Sequence, residues 1–489
     1  MSADTLAQVG GPLAGAGLAI LFLAHGRVFR LGGLILAGVG TAMVLVHLLP
    51  DGNRGTLVAA TLVGVVIIVG GAAAFHRWPW SFAFLALAAA PARIPVAVGD
   101  TEANLLLPLY AVVGAGALAL AWALATEKRP AAELGLLRWP IALTVVWLGI
   151  SAAWADDHRE ASIDVLFFVA PFALLALLVA RLPWRRAPLQ WLFAQLLAMA
   201  LLFAGVGIYQ WIAKDVFWNP KVEIGNVFQS FYRVNSLFWD PSIYGRFLVV
   251  AILAALTVLL SRRLRAGGYW GAAAIVALWV GLLFSYSQSS FAALVASAAL
   301  LAVPAWRWRA VAALVVVAAV LVPVVALAPP FESARSALIG EGDTSFDRAT
   351  GGRFEQMKSG VRIARDNPLI GVGLGGYLDA FAEEKGLARA PARAALHATP
   401  VTVSAENGFV GLLLYLGLVV SAFIAAFRIG TAPLLVRNVA WVGGLTFAVI
   451  VVHSFFYNAF FEDPMMWASL GVVALALAQR SAIDQTGKT

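Results

Sequence analysis

Apolar runs near twenty residues recur from end to end of this chain, separated by short polar connections. They fall near 8–25, 31–49, 55–75, 79–93, 104–125, 138–154, 162–182 and 189–212. Further runs lie near 242–261, 269–285, 288–304, 310–328, 404–427, 436–454 and 464–479. Each is close to the length a helix needs to cross a ~30 Å hydrocarbon core. The runs lack the period-two alternation of barrel strands, and lipid offers backbone groups no partners, so helices are the expected elements. The pattern predicts an all-α polytopic membrane protein, with about 12–15 transmembrane helices and one large extracytoplasmic loop containing short helices.

The polar connections sort into two kinds. Lys and Arg mark alternate ones: Arg27 and Arg30, Arg77, Lys128 and Arg129, Arg181 with Arg185 and Arg186, and Arg262 with Arg263 and Arg265. The series continues through Arg307 and Arg309, Arg428 and Arg437, and Arg480. Threaded in order, all land on one side, which the positive-inside rule makes the cytoplasm. The opposite side then carries three distinctive connections, 155–161, 213–241 and 329–403. The last holds nine Lys/Arg beside nine Asp/Glu, which leaves the topology intact because long translocated loops are largely exempt from the charge rule. Three regions follow: transmembrane helices over 1–328, an extracytoplasmic loop over 329–403, and C-terminal transmembrane helices over 404–489. No basic residue precedes the first apolar run, so that run is expected to remain as a span.

Composition sharpens this picture in two places. Hydrophobic residues make up 61% and charged residues 12%, more apolar side chain than a water-soluble fold can hide. The net charge of +8 is explained by cytoplasmic loops, so nucleic acid is not an expected partner and membrane lipids are. The absence of cysteine excludes disulfides, thiolate metal sites and cysteine nucleophiles.

Within the large loop, Arg353 to Arg365 reads as a helix, with Phe354, Met357, Val361 and Ala364 on one face. Asp366-Asn367-Pro368 stops it, since the residue before proline avoids the α region. An apolar turn follows over Pro368 to Tyr377, then a short helix near 377–387, with the next span beginning near Ser404. Gly371-Val-Gly-Leu-Gly-Gly superficially resembles a phosphate-cradling loop, but no strand precedes it and no lysine-serine pair follows, so it reads as a packing turn.

Some residues are suited to chemistry. Arg233 precedes a span at the outer surface, and Arg353 opens the loop helix, where a guanidinium beside unsatisfied backbone N–H groups makes an anion seat. Position alone favours lipid-headgroup anchors or partners of loop carboxylates, because interfacial arginines commonly snorkel. His397 is suited to accept a proton from a hydroxyl, and Glu406 lies at the start of the following span, where a carboxylate usually has a purpose. A solvated histidine and an interfacial glutamate remain the alternative. His453 and Glu462-Asp463 are weaker candidates of the same kind. Ser285 to Ser290 is polar enough to line a cavity. No residues stand at metal-ligand spacing, and no metal or cofactor is implied.

From about residue 225 to 470 the sequence resembles the superfamily of O-antigen ligases and O-antigen polymerases. The resemblance rests on four segments in order. They are Arg233-Val-Asn-Ser-Leu-Phe-Trp-Asp-Pro-Ser242, Ser285 to Ser290, Gly352-Arg353 with Asp366 to Tyr377, and His397 with Glu406, Gly408 and Gly411. Gln288 stands where the serine-rich segment often carries arginine, Met357 replaces a common tryptophan, and Ala398 a common asparagine. The resemblance implies a bacterial inner-membrane glycosyltransferase whose catalytic loop is 329–403. It would take an undecaprenyl-diphosphate-linked glycan donor and pass the glycan to a glycan or lipid A-core acceptor on the periplasmic side. It further implies Arg233 and Arg353 on the diphosphate, His397 as general base, Glu406 orienting His397 or the acceptor, inversion at the anomeric carbon and no metal. Ligase, polymerase and protein O-oligosaccharyltransferase stay open at this point, with a lipid-linked oligosaccharide flippase as the alternative from another class.

Overall fold

In a computed structural model, described for residues 3–48, 54–98, 101–126, 134–217, 219–228, 231–261, 266–306, 353–388, 396–429 and 432–486, the chain is a helical bundle. The first helices are α1 (Ala3–Leu23), α2 (Arg27–Leu48), α3 (Arg54–Arg77), α4 (Pro79–Ala89), α5 (Leu107–Thr126) and α6 (Arg138–Ser151). The middle of the chain forms α7 (His158–Ile163), α8 (Ala170–Ala180), α9 (Arg186–Ala213), α10 (Pro220–Val227), α11 (Pro241–Ser261), α12 (Ala266–Ser285) and α13 (Gln288–Trp306). The last part forms α14 (Arg353–Asp366), α15 (Tyr377–Glu384), α16 (Thr399–Phe427), α17 (Leu434–His453) and α18 (Pro464–Thr486). Among the described residues, ten stretches are long and apolar enough to cross a membrane, and four shorter apolar helices accompany them. The fold is thus all-α and polytopic. The expected span at 310–328 lies outside the described residues.

Three features depart from the sequence expectation. A small antiparallel ribbon, β1 (Ile94–Val98) with β2 (Thr101–Leu105), links α4 to α5. Helix α16 starts at Thr399, five residues before the expected span start. The predicted apolar face of α14 is turned outward, with Met357 and Val361 exposed, while Gln356, Ser359, Gly360 and Ile363 are buried. Gly360 explains the inversion, because a Cβ there would fall 2.7 Å from Leu396 and 2.8 Å from Val401.

Among the described residues the connections gather at two ends of the bundle. At one end Arg138 reaches His25 at 3.4 Å, Trp80 donates to the Pro183 carbonyl, and Ser261 donates to Asn438, all beside basic clusters. At the other end the connections 155–161, 213–241, 286–287, 366–376 and 454–463 gather. Helices opening there share one chemistry. Asn219-Pro220, Asp240-Pro241 and Asp463-Pro464 each place a side-chain oxygen on the first free amides, accepting from Lys221, Ser242 and Met465, with proline at the first helical position. Asp157 caps α7 in the same way. Helices α8 and α11 are the most enclosed spans, and they belong to two separate apolar cores.

Candidate functional site

The glycine turn and the start of α16 build one interlocked unit. Helix α16 is broken at Gly408, whose φ of 64° and ψ of −164° suit almost only glycine. The break frees carbonyls before it and amides after it, and buried backbone groups of this kind need partners. Val372 N–H donates to the Ala405 carbonyl at 3.0 Å, Gly373 N–H to Glu406 at 2.8 Å, and Trp147 Nε1 to Asn407 at 3.2 Å. In return Phe409 N–H donates to the Pro368 carbonyl at 2.8 Å and Val410 N–H to Leu369 at 3.3 Å. Gly371, Gly373 and Gly375 all have positive φ, and a Cβ on the first two would strike backbone of Glu406 and Ala155. The glycine run is a packing turn that carries the broken helix. Replacing Gly408 by Ala is expected to cost about 1–3 kcal/mol from backbone strain alone, before the collision with the Leu369 carbonyl is counted. Thermal unfolding of the purified variant in detergent checks this, and an unchanged midpoint would refute it.

The Arg233 segment is seated on the serine-rich segment. Arg233 Nε donates to the Ser285 carbonyl at 3.2 Å, and Asn226 of α10 brackets its backbone with two hydrogen bonds of 2.9 Å. Val234 N–H donates to the Phe284 carbonyl, and Ser290 Oγ to the Ser242 carbonyl. Ser236, at φ 54°, is held in the left-handed region by Gln210, which accepts from its N–H at 2.7 Å and donates to its carbonyl at 3.0 Å. Strain that is overdetermined in this manner clusters at functional sites.

Behind these segments lies a buried polar network. Arg246 of α11, 4% exposed, forms a 2.6 Å ion pair with Asp463 and donates to His453 Nδ1 at 3.4 Å. A cavity of about 110 Å³ opens beside it, walled in part by Arg93, Trp239, Tyr457, Asn458 and Glu462. A second cavity of about 40 Å³ shares Asn458 and Glu462 and is lined also by Asp164, Thr402, Glu406 and Asn407. Asp164 reaches it from a π-helical stretch over Asp164–Val169, and π-bulges are frequent at functional sites. Burial pushes the Glu462 carboxyl up to about 7; Arg93 opposes the rise, Glu160 and Asp463 add to it, and Arg246 opposes it. Because the folded value lies above the ordinary 4.5, this contribution to stability is full below 4.5 and is lost as pH rises through about 7. The unfolding midpoint is therefore expected to fall from about pH 4.5 to pH 7, and Glu462→Gln to flatten that slope. A pH series of melts on both proteins checks it, and equal slopes would refute it.

Residues 272–416, from within α12 into α16, match the family described as O-antigen ligase. Over that region the chain is similar to O-antigen ligases, which supports its likeness to the superfamily of O-antigen ligases and polymerases. No curated protein matches it. The O-antigen ligase match supports ligase- or polymerase-type glycan transfer at a membrane as the general function.

The O-antigen ligase region contains the serine-rich segment, α14, the glycine turn, His397 and Glu406, whereas Arg233 lies before it. His397 is half-buried immediately before α16, and its neighbourhood is tied to the last loop. Thr399 N–H donates to the Ser454 carbonyl at 2.9 Å, and Thr399 Oγ1 to Asn458 at 3.2 Å. Glu406 goes elsewhere: its carboxylate accepts from the backbone N–H groups of Gly375 and Tyr377 at the start of α15. At 1.5 Å of rise per residue, the seven residues of helix from Thr399 alone put Glu406 roughly 10 Å along α16 from the end that His397 precedes. Arg353 opens α14 as expected, and its side chain lies outside the described residues. Arg246, Arg93 and Asp164 escaped the sequence reading, and Asp463 was only a weak candidate. An arginine six residues into an apolar span was the available signal for Arg246, since an ionisable group there has to be paired.

Proposed function

We propose that this chain moves a glycan from undecaprenyl diphosphate to an acceptor hydroxyl at the outer face of the bacterial inner membrane. The observation that carries the proposal is convergence. Segments dispersed along the chain pair up: Arg233 seats on the serine-rich segment, the glycine turn on the start of α16, and Thr399, two residues after His397, on the last loop. His397 takes the proton from the acceptor hydroxyl, the acceptor oxygen bonds to the anomeric carbon, and the bond from that carbon to the phosphate oxygen breaks. The leaving undecaprenyl diphosphate departs with the bonding pair, and Arg233 and Arg353 meet its charge at headgroup height. This single displacement inverts the anomeric centre and needs neither a metal nor a covalent intermediate. Glu406 serves indirectly, holding α15 and the glycine turn against the broken helix.

The test is glycan transfer by the purified chain in lipid, with undecaprenyl-diphosphate oligosaccharide and with or without a lipid A-core acceptor, read by mass spectrometry. Core-dependent product identifies a ligase, and longer carrier-linked chains without core identify a polymerase. Intact donor under all conditions overturns the proposal and favours a lipid-linked oligosaccharide flippase. Arg233→Ala and Arg353→Ala are each expected to lose about 1.5–3 kcal/mol of charged hydrogen bonding, roughly a ten- to hundred-fold drop in kcat/KM. Unchanged rates in both would remove them from the diphosphate.

A further inference from the structure

We propose that the cavity of about 110 Å³ beside Arg246 binds one neutral sugar ring of the acceptor glycan. This rests on the glycan-transfer function above and adds where, and by what chemistry, the acceptor is recognised.

Arg246, one of the lining residues, holds an unspent donor behind the cavity surface. Arg246 is 4% exposed; Nη2 is committed to Asp463 and Nη1 to His453, while Nε is buried with no hydrogen-bond partner. A guanidinium nitrogen left so is costly unless a ligand or water accepts from it. The other walls supply what a polyol needs: Glu462 and Asn458 as acceptors, Asn458 and Tyr457 as donors, and the aromatic side chains of Trp239 and Tyr457 as apolar surface for the C–H groups of a ring. Small-molecule sites combine apolar walls with a few convergent polar groups in this way.

Charge balance selects the class of sugar. Two cations, Arg93 and Arg246, face two acids, Glu462 and Asp463, so the lining presents donors and acceptors with no excess of either sign. An anion such as phosphate would find each guanidinium already opposed by a carboxyl group. Size is consistent as well. At roughly 10–15 Å³ of such space per water, the cavity holds on the order of ten heavy atoms, about one pyranose ring and its hydroxyls.

Position assigns the ring to the acceptor. Asn458 accepts from Thr399 Oγ1, two residues after His397, so the cavity wall and the base are fixed to the same short segment. Arg93, Trp239, Arg246, Tyr457 and Glu462 all lie outside residues 272–416. Acceptor choice is thereby written in parts of the chain outside the matched region.

The experiment uses the full chain in lipid nanodiscs, without donor, probed by saturation-transfer NMR with free glucose, N-acetylglucosamine and glucuronate. Inorganic phosphate serves as competitor. The neutral sugars are expected to receive saturation from the wild type, to lose it in Trp239→Ala, and to resist phosphate. In the transfer assay, Trp239→Ala is expected to raise the acceptor KM about tenfold with kcat and donor KM unchanged. Should Trp239→Ala fail to fold, Tyr457→Phe is read in the same two assays. Absence of saturation in the wild type, equal saturation in the variant, or displacement by phosphate overturns the sugar site. Normal turnover with an unaltered acceptor KM overturns the pocket alone, whereas a wild type that binds sugars but transfers nothing overturns the transfer function alone.

Discussion

His397→Ala is expected to fold as the wild type does and to lose glycan transfer about 10²–10⁴-fold, the usual contribution of a positioned general base. The side chain is half-buried in front of α16, and the hydrogen bonds of Thr399 to Ser454 and Asn458 are retained when the imidazole is truncated. The loss should fall on kcat, because the proton moves in the transition state and the donor's diphosphate is held elsewhere. Single-turnover transfer with pre-bound donor, alongside a melt, separates the two effects. A variant with an unchanged midpoint and a rate within about threefold of wild type would take the base role away from His397.

Arg246→Ala should act on stability instead. The ion pair with Asp463 is 2.6 Å long, with the two side chains 5% and 2% exposed, so removing the guanidinium strands a buried carboxylate. Breaking such a pair from one side costs about 3–5 kcal/mol, much more than an exposed pair is worth. Asp463 also caps α18 by accepting from Met465 N–H at 2.7 Å, and the repair must therefore keep an oxygen there. Arg246→Met with Asp463→Asn keeps the cap acceptor and removes both charges. The double variant is expected to recover most of the loss in thermal or denaturant unfolding. A single variant as stable as wild type, or a double variant no better than the single, would show that the pair does not hold α11 to the last loop.

The sequence made much of the site legible, for reasons that can be named. Arg233, the serine-rich segment and the glycine turn are contiguous strings, and each string keeps its local chemistry when the helices assemble. Gly371, Gly373 and Gly375 were readable as a turn because only glycine tolerates their backbone angles cheaply. Glu406 was readable as purposeful because a carboxylate at a span boundary is expensive. Its partner was not readable. The backbone amides of Gly375 and Tyr377 reach it only because α16 breaks at Gly408 and the turn fills the break. The orientation of α14 was hidden for a related reason. Apolar spacing gives the period of a helix, while the buried side was chosen by Gly360 making room for Leu396 and Val401.

By itself, then, the chain determined its apolar helical spans and the polar connections between them. Hydropathy and charge act residue by residue against lipid and water, so these outcomes depend on no distant contact. Tertiary structure alone decided which polar and charged groups meet. Arg246 with Asp463, Asp164 with Glu406 and Glu462, and Asn458 with Thr399 come together across 59 to more than 200 residues of sequence. Those encounters are set by how the helices pack, and a buried charge becomes tolerable only once its partner has been brought to it.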